Sequence, residues 1–334
     1  MKNSIVSFTS KSSLEEAIVT DTQDVPELGE HDLLVEVLAT ALNPIDLKLR
    51  QKLTDGQSKI LGFDAVGKVV AIGSEVTPDM IDQLVYYMGT TQRAGSFQRY
   101  QLVDERLAAK APRSLSAAES AALPLTSLTA WELFFERFGL NPEEAANTGK
   151  TILIINGAGG VGSIASQLAS WNGLEVYATS SPENFDWLQR NGAVHCLDYH
   201  QPLKDQLPDG LKFDFIACFY DITFYIDQLD ELIRPLGHIG TIVNTKEALD
   251  LNPLKNLSVS FDWEYAFAKT DFYDDETQGN ILGRIAELID AGKLQTTLAR
   301  NFSDGISKEN LLAGLKLVDE GHFGKIVLSG GFHE

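Results

Sequence analysis

The pattern of apolar and polar positions along the chain changes near residue 123. Before that point, short runs rich in Val, Ile and Leu are broken by Gly, as in residues 32–43 and 64–76. Such runs predict a compact, mostly β segment. After that point, short apolar runs alternate with helical stretches, which is the pattern of a parallel sheet with crossover helices. The fold class predicted is therefore α/β, with a β-rich front part.

Each predicted strand of the second part is a short apolar run, and helical stretches separate these runs. They cover residues 151–156, 174–180, 193–199, 213–220, 237–244 and 257–263. A helix near residues 277–292 and a strand at residues 324–328 close the chain.

A glycine-rich stretch follows the first of these strands. Gly157, Gly159 and Gly162 fit the spacing G-x-G-x-x-G, and the residues after them place apolar side chains on one helical face. The glycines provide a tight turn, close approach of a pyrophosphate and close helix–strand packing, while the helix N-terminus offers free N–H groups. We therefore predict dinucleotide contacts at these glycines, at Gly160 and at Val161. The alternative is a tight βα turn that binds nothing.

The residues after the second strand of this part indicate which dinucleotide binds. An NAD site usually has Asp or Glu there to bind the ribose 2′-OH. Here the stretch is Thr179-Ser180-Ser181-Pro182, and the nearest acid, Glu183, lies beyond the proline. Hydroxyl groups can donate to a 2′-phosphate, so Ser180 and Ser181 favour NADP(H). The alternative is that both serines cap the next helix.

Charge and composition exclude several classes of partner. With 27 Lys and Arg against 47 Asp and Glu, the formal net charge is −20, and no basic run occurs, so a nucleic-acid partner is not expected. The 2 cysteines are too few for a four-cysteine zinc site or a disulfide framework. No signal-peptide pattern and no long apolar run is present. These features predict a cytoplasmic protein that does not bind membranes.

Several segments together resemble the medium-chain dehydrogenase/reductase superfamily, in its quinone-oxidoreductase-like branch and the group called zinc-type alcohol dehydrogenase-like proteins. The segments are ALNPIDLKLR (41–50), LGFDAVGKVVAIGSEV (61–76), GSFQRYQLVDER (95–106), AALPLTSLTAWELFF (121–135), INGAGGVGS (155–163) and GKIVL (324–328). The resemblance implies a GroES-like catalytic domain formed by residues 1–124 and 270–334, and a doubly wound Rossmann domain at residues 125–269. It also implies a cofactor cleft between the domains and a homodimer or homotetramer.

The residues at the family's zinc-ligand positions differ in this chain. The family's catalytic Cys and its His-Glu pair correspond here to Asn43-Pro44-Ile45-Asp46 and Gly62-Phe63-Asp64. Phe63 cannot bind a metal, both cysteines lie after the third ligand position, and a catalytic zinc site needs three protein ligands. We therefore expect no zinc.

The segment after the third predicted strand supplies the candidate catalytic residues. By resemblance Asn43 faces the nicotinamide, where it could donate to the substrate oxygen or contact the cofactor; the alternative is an Asx turn before Pro44. Lys48 could protonate an enolate or bind a polar substrate, or be a surface lysine. Asp46 could orient Lys48 or cap the short helix that follows it.

Four more residues are candidate cofactor contacts. By resemblance, Thr129 reaches the nicotinamide region, and Tyr199 lies by the adenosine phosphate. Asn244 is predicted to end a strand and bind the nicotinamide ribose. Lys325 is predicted to lie near the cofactor, with contact through its backbone.

The sequence leaves three hypotheses for function. The first is an NADPH-dependent reductase of quinones or α,β-unsaturated carbonyls, because such acceptors need orientation and hydrogen bonds rather than a Lewis acid. The second is a zinc alcohol dehydrogenase, which the missing ligands disfavour. The third is a dinucleotide-binding sensor or structural protein without turnover.

Overall fold

The computed structural model describes residues 1–273 and 277–332. The strands are Lys2–Thr9 (β1), Ile18–Asp24 (β2), Asp32–Ala41 (β3), Ser58–Lys59 (β4), Ala65–Ile72 (β5), Leu84–Tyr87 (β6), Tyr100–Asp104 (β7), Ala108–Lys110 (β8), Thr151–Ile155 (β9), Glu175–Ser180 (β10), His195–Asp198 (β11), Phe213–Cys218 (β12), Ile233–Thr241 (β13), Ser260–Trp263 (β14), Leu298–Phe302 (β15) and Lys325–Ser329 (β16). The α-helices are Leu14–Ala17 (α1), Pro44–Gln51 (α2), Ala117–Ala121 (α3), Pro124–Trp131 (α4), Gly160–Trp171 (α5), Phe185–Arg190 (α6), Leu229–Leu232 (α7), Asn252–Lys255 (α8), Ala268–Phe272 (α9), Thr277–Asp290 (α10) and Lys308–Glu320 (α11).

The remaining helical turns are of other types. A π-helix covers Glu132–Arg137. The 3₁₀ turns are Pro78–Met80, Glu105–Leu107, Pro182–Asn184, Leu203–Gln206, Ile222–Phe224 and Ile226–Gln228.

The chain divides into two compact units. The split unit contains Met1–Leu128 and Phe267–Glu334, and the central unit contains Thr129–Ala266. The N-terminal and C-terminal parts of the chain thus build one unit together, and the residues of the central unit lie between these parts in the sequence.

The split unit is built on two sheets. One is three-stranded with the order β2-β1-β4, and the other is seven-stranded with the order β15-β16-β3-β5-β6-β8, where β7 also pairs with β3. Strand β3 is the centre of the larger sheet, because β16, β5 and β7 all pair with it antiparallel. Its alternation of Val, Leu and Ala buries one apolar side chain after another, including Leu33, Val35 and Ala39. The C-terminal strand β16 is therefore part of the same sheet as residues from the start of the chain.

The central unit is a six-stranded parallel sheet with the order β11-β10-β9-β12-β13-β14. All its strand pairs are parallel. The chain moves outward from β9 in one direction and then returns to start β12 on its other side, so the order reverses between β9 and β12. In open sheets of this kind, ligands bind outside the carboxyl ends of the strands at that reversal. The predicted α/β fold class, with its GroES-like and Rossmann parts, is confirmed.

Helix α5 packs its apolar face on the central sheet. Ile164, Ala165 and Leu168 are fully buried, and the middle of β9 is covered on both sides, as expected for a parallel strand. The residues predicted for the apolar face are buried except for Val161 at its start, which is partly buried, but Ser163, Ser166 and Gln167 are buried as well, so burial extends beyond that face. Burial of a side chain such as Leu168 contributes about 1.5–3 kcal/mol.

One predicted strand boundary is wrong. The strand expected to reach Asn244 ends at Thr241, because its neighbour β14 ends at Trp263, which is paired with Thr241. Asn244 lies in the following loop and is exposed.

The helices in the described part of the chain are all too short or too polar to cross a lipid bilayer.

We predict that Gly162→Ala destabilises the protein. A Cβ at this position would lie 2.2 Å from the carbonyl oxygen of Asn156 and 2.7 Å from Cα of Gly157, so α5 must move away from the loop that follows β9. Such overpacking costs about 1–3 kcal/mol, which urea unfolding would measure. The control is Gly283→Ala in α10, where a Cβ meets no atom within 4 Å and should stabilise the helix by up to about 1 kcal/mol. Equal stability of Gly162→Ala and the unmodified protein would contradict this packing argument.

Candidate functional site

The glycine-rich loop of the central unit joins β9 to α5 at the reversal point of the sheet. Gly159 is the N-cap of α5, and the first intrahelical bond in the loop runs from the N–H of Ser163 to its carbonyl at 2.9 Å. The N–H groups of Gly160, Val161 and Gly162 belong to the first turn, so they have no acceptor within the helix. They form a set of donors with the positive end of the helix dipole, suited to a pyrophosphate.

The left-handed position of this turn, which the motif would give to a glycine, is taken by another residue. The residue with a left-handed backbone in the turn is Asn156, with φ 65°, and not a glycine. Gly157 is needed for packing, because a Cβ there would lie 2.7 Å from Cβ of Ala178 in β10. Gly162 allows α5 to lie against the loop itself. Asn156 also fixes the loop from the other side by donating its amide to the carbonyl of Phe219, after β12, at 3.1 Å.

The carboxyl end of β10 differs from the sequence prediction. Ser180 and Ser181 are both 7% exposed, at the end of the strand as predicted. However, the 3₁₀ turn after Ser181 brings Glu183 back toward the strand, and Ser181 Oγ donates to Oε1 of Glu183 at 2.7 Å. Ser181 is the N-cap of that short turn but makes no side-chain cap bond. A carboxylate is therefore present at the carboxyl end of β10, where the sequence predicted none.

The other candidates in the central unit occupy different environments. Thr129 is 5% exposed and lies on α4, while Tyr199 is 51% exposed directly after β11, with its ring against that of His200. Asn244 is in the loop after β13. Tyr199 thus lies at the same sheet edge as the glycine-rich loop, at the carboxyl ends of the strands.

The split unit contains a buried cluster of charged and polar side chains. Asn43, Asp64 and Lys325 are each at most 2% exposed. The Lys325 ammonium lies 3.0 Å from Asp64 Oδ2 and also donates to Asn43 Oδ1 and to the Leu42 carbonyl. The other oxygen of Asp64 accepts the backbone N–H of Leu125, at the start of α4, at 2.7 Å. One carboxylate thus connects β16, the start of α2 and the start of α4.

The amide of Asn43 is fully committed to this cluster. Its Nδ2 donates to Asp64 Oδ2 at 2.8 Å and to the Ala41 carbonyl at 3.4 Å, and these are its two donor hydrogens. In this geometry the Asn43 side chain holds the start of α2 in place. The sequence had left open a donor to substrate and an Asx turn before Pro44.

Asp46 caps α2 from within the same segment. Its Oδ2 accepts the N–H of Asn43 at 2.9 Å, and its Oδ1 accepts the N–H of Gly62 at 3.0 Å. Of the two alternatives for Asp46, these bonds correspond to the cap. Lys48, two residues on, is exposed on the surface of α2.

Burial dominates the electrostatics of the cluster. Burial raises the pKa of Asp46 to about 7, against the opposing effect of its two backbone hydrogen bonds and of Lys325. Burial also raises the pKa of Asp64, while Lys325 and the N–H of Leu125 oppose the rise. Of the opposing effects, the charge of Lys325 is the largest, and it favours the ionised form of Asp64.

The donor set of this cluster does not fit zinc. Phe63 is 1% exposed and packs edge-on against Phe267, with ring centroids 5.0 Å apart. Both oxygens of Asp64 accept protein hydrogen bonds, and one of them faces the ammonium of Lys325, which would repel a metal cation. Among residues 1–273 and 277–332, no group of three or more His, Cys, Asp or Glu is arranged to hold a metal.

Comparison with known proteins places the chain in a family. The model for the alcohol dehydrogenase GroES-like domain matches residues 29–113, and the model for zinc-binding dehydrogenases matches residues 191–328. A zinc-type alcohol dehydrogenase-like protein from Staphylococcus aureus is 41% identical over 311 residues, which are 92% of this chain and 93% of that protein. The chain belongs to the medium-chain dehydrogenase/reductase superfamily, among the zinc-type alcohol dehydrogenase-like proteins.

Two further relatives support this placement. An NADPH-dependent alkenal/one oxidoreductase from Arabidopsis thaliana is 36% identical over 233 residues, or 66% of this chain and 56% of that protein. A solved structure from Rhizobium etli, provisionally assigned as a zinc-dependent alcohol dehydrogenase, is 35% identical with a TM-score of 0.92 and covers 99% of this chain and 98% of its own. This protein is thus an oxidoreductase of the superfamily, and membership implies NAD(P)H as its cofactor.

Sequence reasoning missed the side chain of Lys325. The sequence predicts a contact to the cofactor through its backbone; in the structure its backbone N–H donates to the carbonyl of Thr297, directly before β15, at 2.8 Å, and its side chain points into the buried cluster. The signal was present in the sequence, because a lysine inside the apolar strand GKIVL needs a buried anion as partner. That partner is Asp64, but its position in the sequence, directly after Phe63, does not reveal the pairing.

We predict that Lys325→Met strongly destabilises the protein, because it leaves the buried Asp64 carboxylate without its charge partner. Removal of one member of a buried ion pair typically costs about 3–5 kcal/mol, measurable by urea unfolding at neutral pH. The matched control is Lys316→Met, which removes a half-exposed pair with Glu15 and should cost less than about 1 kcal/mol. Equal costs for the two variants would show that the buried pair has no special role.

We predict a pH dependence of stability from Asp46. Its pKa is raised from 3.8 to about 7 on folding, so the folded state holds a proton that the unfolded state releases. This contribution is complete below the unfolded pKa and is lost as the pH rises to about 7. The free energy of unfolding of the unmodified protein, minus that of Asp46→Asn, should therefore fall between pH 4 and pH 7. A difference that is constant over this range, or rises, would contradict the prediction.

Proposed function

We propose that this protein is a zinc-independent, NADPH-dependent reductase of quinones or α,β-unsaturated carbonyl compounds. The observation that carries the proposal is the buried pair of Lys325 and Asp64, which puts an ammonium where the family's metal chemistry would need vacant ligands. Without a Lewis acid, polarising a simple ketone or alcohol is difficult. A conjugated acceptor needs less help, because its oxygen takes up the electron pair through the conjugated system.

The relatives support the same substrate class. The Arabidopsis protein carries both NADPH and alkenals or enones in its name, and it is 36% identical to this chain. A 2-methylene-furan-3-one reductase from Solanum lycopersicum is also 36% identical, over 71% of this chain. Both names refer to a substrate that contains a carbon–carbon double bond and a carbonyl group.

The residues of the chain suit a reaction of this kind. When bound, NADPH supplies the hydride that adds to the conjugated carbon. The N–H groups of Gly160, Val161 and Gly162 bind the pyrophosphate, and the hydroxyls of Ser180 and Ser181 are the donors proposed for the 2′-phosphate. As hydride adds to the β-carbon, the electron pair of the double bond moves to the carbonyl and gives an enolate.

The enolate then takes up a proton, and Lys48 is our candidate donor: its ammonium passes a proton to the enolate oxygen, and the enol tautomerises to the saturated carbonyl compound. It is exposed on α2, whose first turn is fixed by the buried Asn43 and Asp46. We propose Asn43 and Asp46 as positioning residues that hold this helix, and Lys48 as the cation that contacts the developing oxygen charge.

We predict NADPH oxidation with enones or quinones that is insensitive to metal chelators. Purified protein should turn over members of a panel of enones, quinones and aldehydes, and incubation with EDTA should leave the rate unchanged. Lys48→Met should lower kcat/KM at least about tenfold. Lys52→Met, which removes a second exposed lysine at the end of α2, is the control and should retain the rate.

Three outcomes would contradict different parts of this proposal. NADPH binding without turnover of any acceptor would favour a sensor. Loss of activity on chelation, with about one zinc per chain, would favour an alcohol dehydrogenase. Full activity of Lys48→Met would reject the role of Lys48 and leave the reductase intact.

A further inference from the structure

The carboxylate of Glu183 is hydrogen-bonded to Ser181, one of the two hydroxyls proposed to bind the cofactor. Ser181 Oγ donates to Glu183 Oε1 at 2.7 Å and accepts from the amide of Asn184 at 3.2 Å. Pro182 starts the 3₁₀ turn that makes this contact, since it fixes the backbone angle φ at the first position of the turn. The hydrogen of the Ser181 hydroxyl is thus already committed to an anion.

The charge of Glu183 persists at neutral pH. The hydrogen bond from Ser181 is the largest cause that lowers the pKa of Glu183, and His200 lowers it further, while Asp198 raises it. His200 is itself held by Asp198, whose Oδ1 lies 2.7 Å from its Nδ1. The carboxyl end of β10 and β11 thus combines two carboxylates with one imidazole.

This group of residues lies at the part of the sheet where the choice between NADH and NADPH is made in this topology. In a sheet of this topology, the residues after the second strand contact the ribose that carries either a 2′-OH or a 2′-phosphate. That strand is β10, and Ser181 follows its last residue, Ser180. A carboxylate accepts a hydrogen bond from a 2′-OH, but it repels a 2′-phosphate and competes with it for the hydroxyl.

We propose that Glu183 is a specificity-determining residue for the cofactor, which limits the preference for NADPH by occupying the hydroxyl of Ser181. The proposal rests on the proposed function, because it assumes that a dinucleotide binds at the glycine-rich loop. NADPH then binds only with Glu183 displaced from Ser181. NADH binds without that displacement and can use the carboxylate as an acceptor for its 2′-OH.

The test is the affinity of the full-length protein for NADPH and NADH, titrated by nicotinamide fluorescence. We expect Glu183→Gln to tighten NADPH binding about three- to tenfold at low salt, because one negative charge beside the phosphate is removed. The affinity for NADH should stay the same or weaken. The gain for NADPH should shrink at 1 M salt, where the Debye length is about 3 Å.

Two variants make the test specific to this contact. Glu175→Gln makes the same change of charge at the amino end of β10, about 20 Å away by strand rise, and should leave both affinities unchanged. Ser181→Ala in the Glu183→Gln background should reverse the gain in NADPH affinity, because the released hydroxyl is the proposed phosphate donor. Glu183 is exposed, so its replacement is compatible with the fold.

The outcomes separate the two proposals. If the unmodified protein binds neither dinucleotide, the proposed function fails and this inference fails with it. If it binds a dinucleotide and Glu183→Gln leaves the ratio of the two affinities unchanged, only the role of Glu183 is overturned. An equal gain in Glu175→Gln would likewise overturn it, since the effect would then come from net charge alone.

Discussion

The buried ion pair of Lys325 and Asp64 is the constraint on which the split unit depends. An ammonium and a carboxylate away from water are tolerated only when each is paired and hydrogen-bonded, and here the pair connects residues 261 positions apart in the chain. Asn43 and the N–H of Leu125 satisfy the rest of the carboxylate. The start of α2 is therefore held by a residue of β16, which pairs with β3, so the C-terminal strand is part of the candidate site.

The same pair changes the chemistry that this site can support. The family's name refers to zinc. At the corresponding positions this chain has the amide of Asn43, the phenyl ring of Phe63, which has no donor atom, and the carboxylate of Asp64, which is already paired with an ammonium. A fixed cation thus takes the electrostatic place that a metal would need, without offering a vacant coordination position. Because the lysine is held within the fold, its charge supports the shape of the segment from Asn43 to Asp46.

The central unit depends on a different constraint, which is close approach between backbones. Helix α5 can start at the carboxyl end of β9 only because Gly162 lacks a Cβ, and β10 can lie beside the loop only because Gly157 lacks one. This packing aims the first N–H groups of α5 outward from the reversal point of the sheet. The outward-facing N–H groups at the start of α5 are therefore a consequence of how the helix packs, whereas the cofactor preference that we propose rests on a surface contact, Ser181 with Glu183.

The sequence by itself determined the fold class, the order of strands and helices in the central unit and the position of the glycine-rich loop. Those features follow from local periodicity and from glycines at fixed spacing, which need no knowledge of distant residues. The tertiary structure alone decided the partner of Lys325, the commitment of the Asn43 amide, the left-handed turn at Asn156 and the return of Glu183 to Ser181. Hydrogen bonds and ion pairs act over about 3 Å. Which side chains come within that distance depends on the packing of the strands, on the exact end of each strand and on the direction of the next turn.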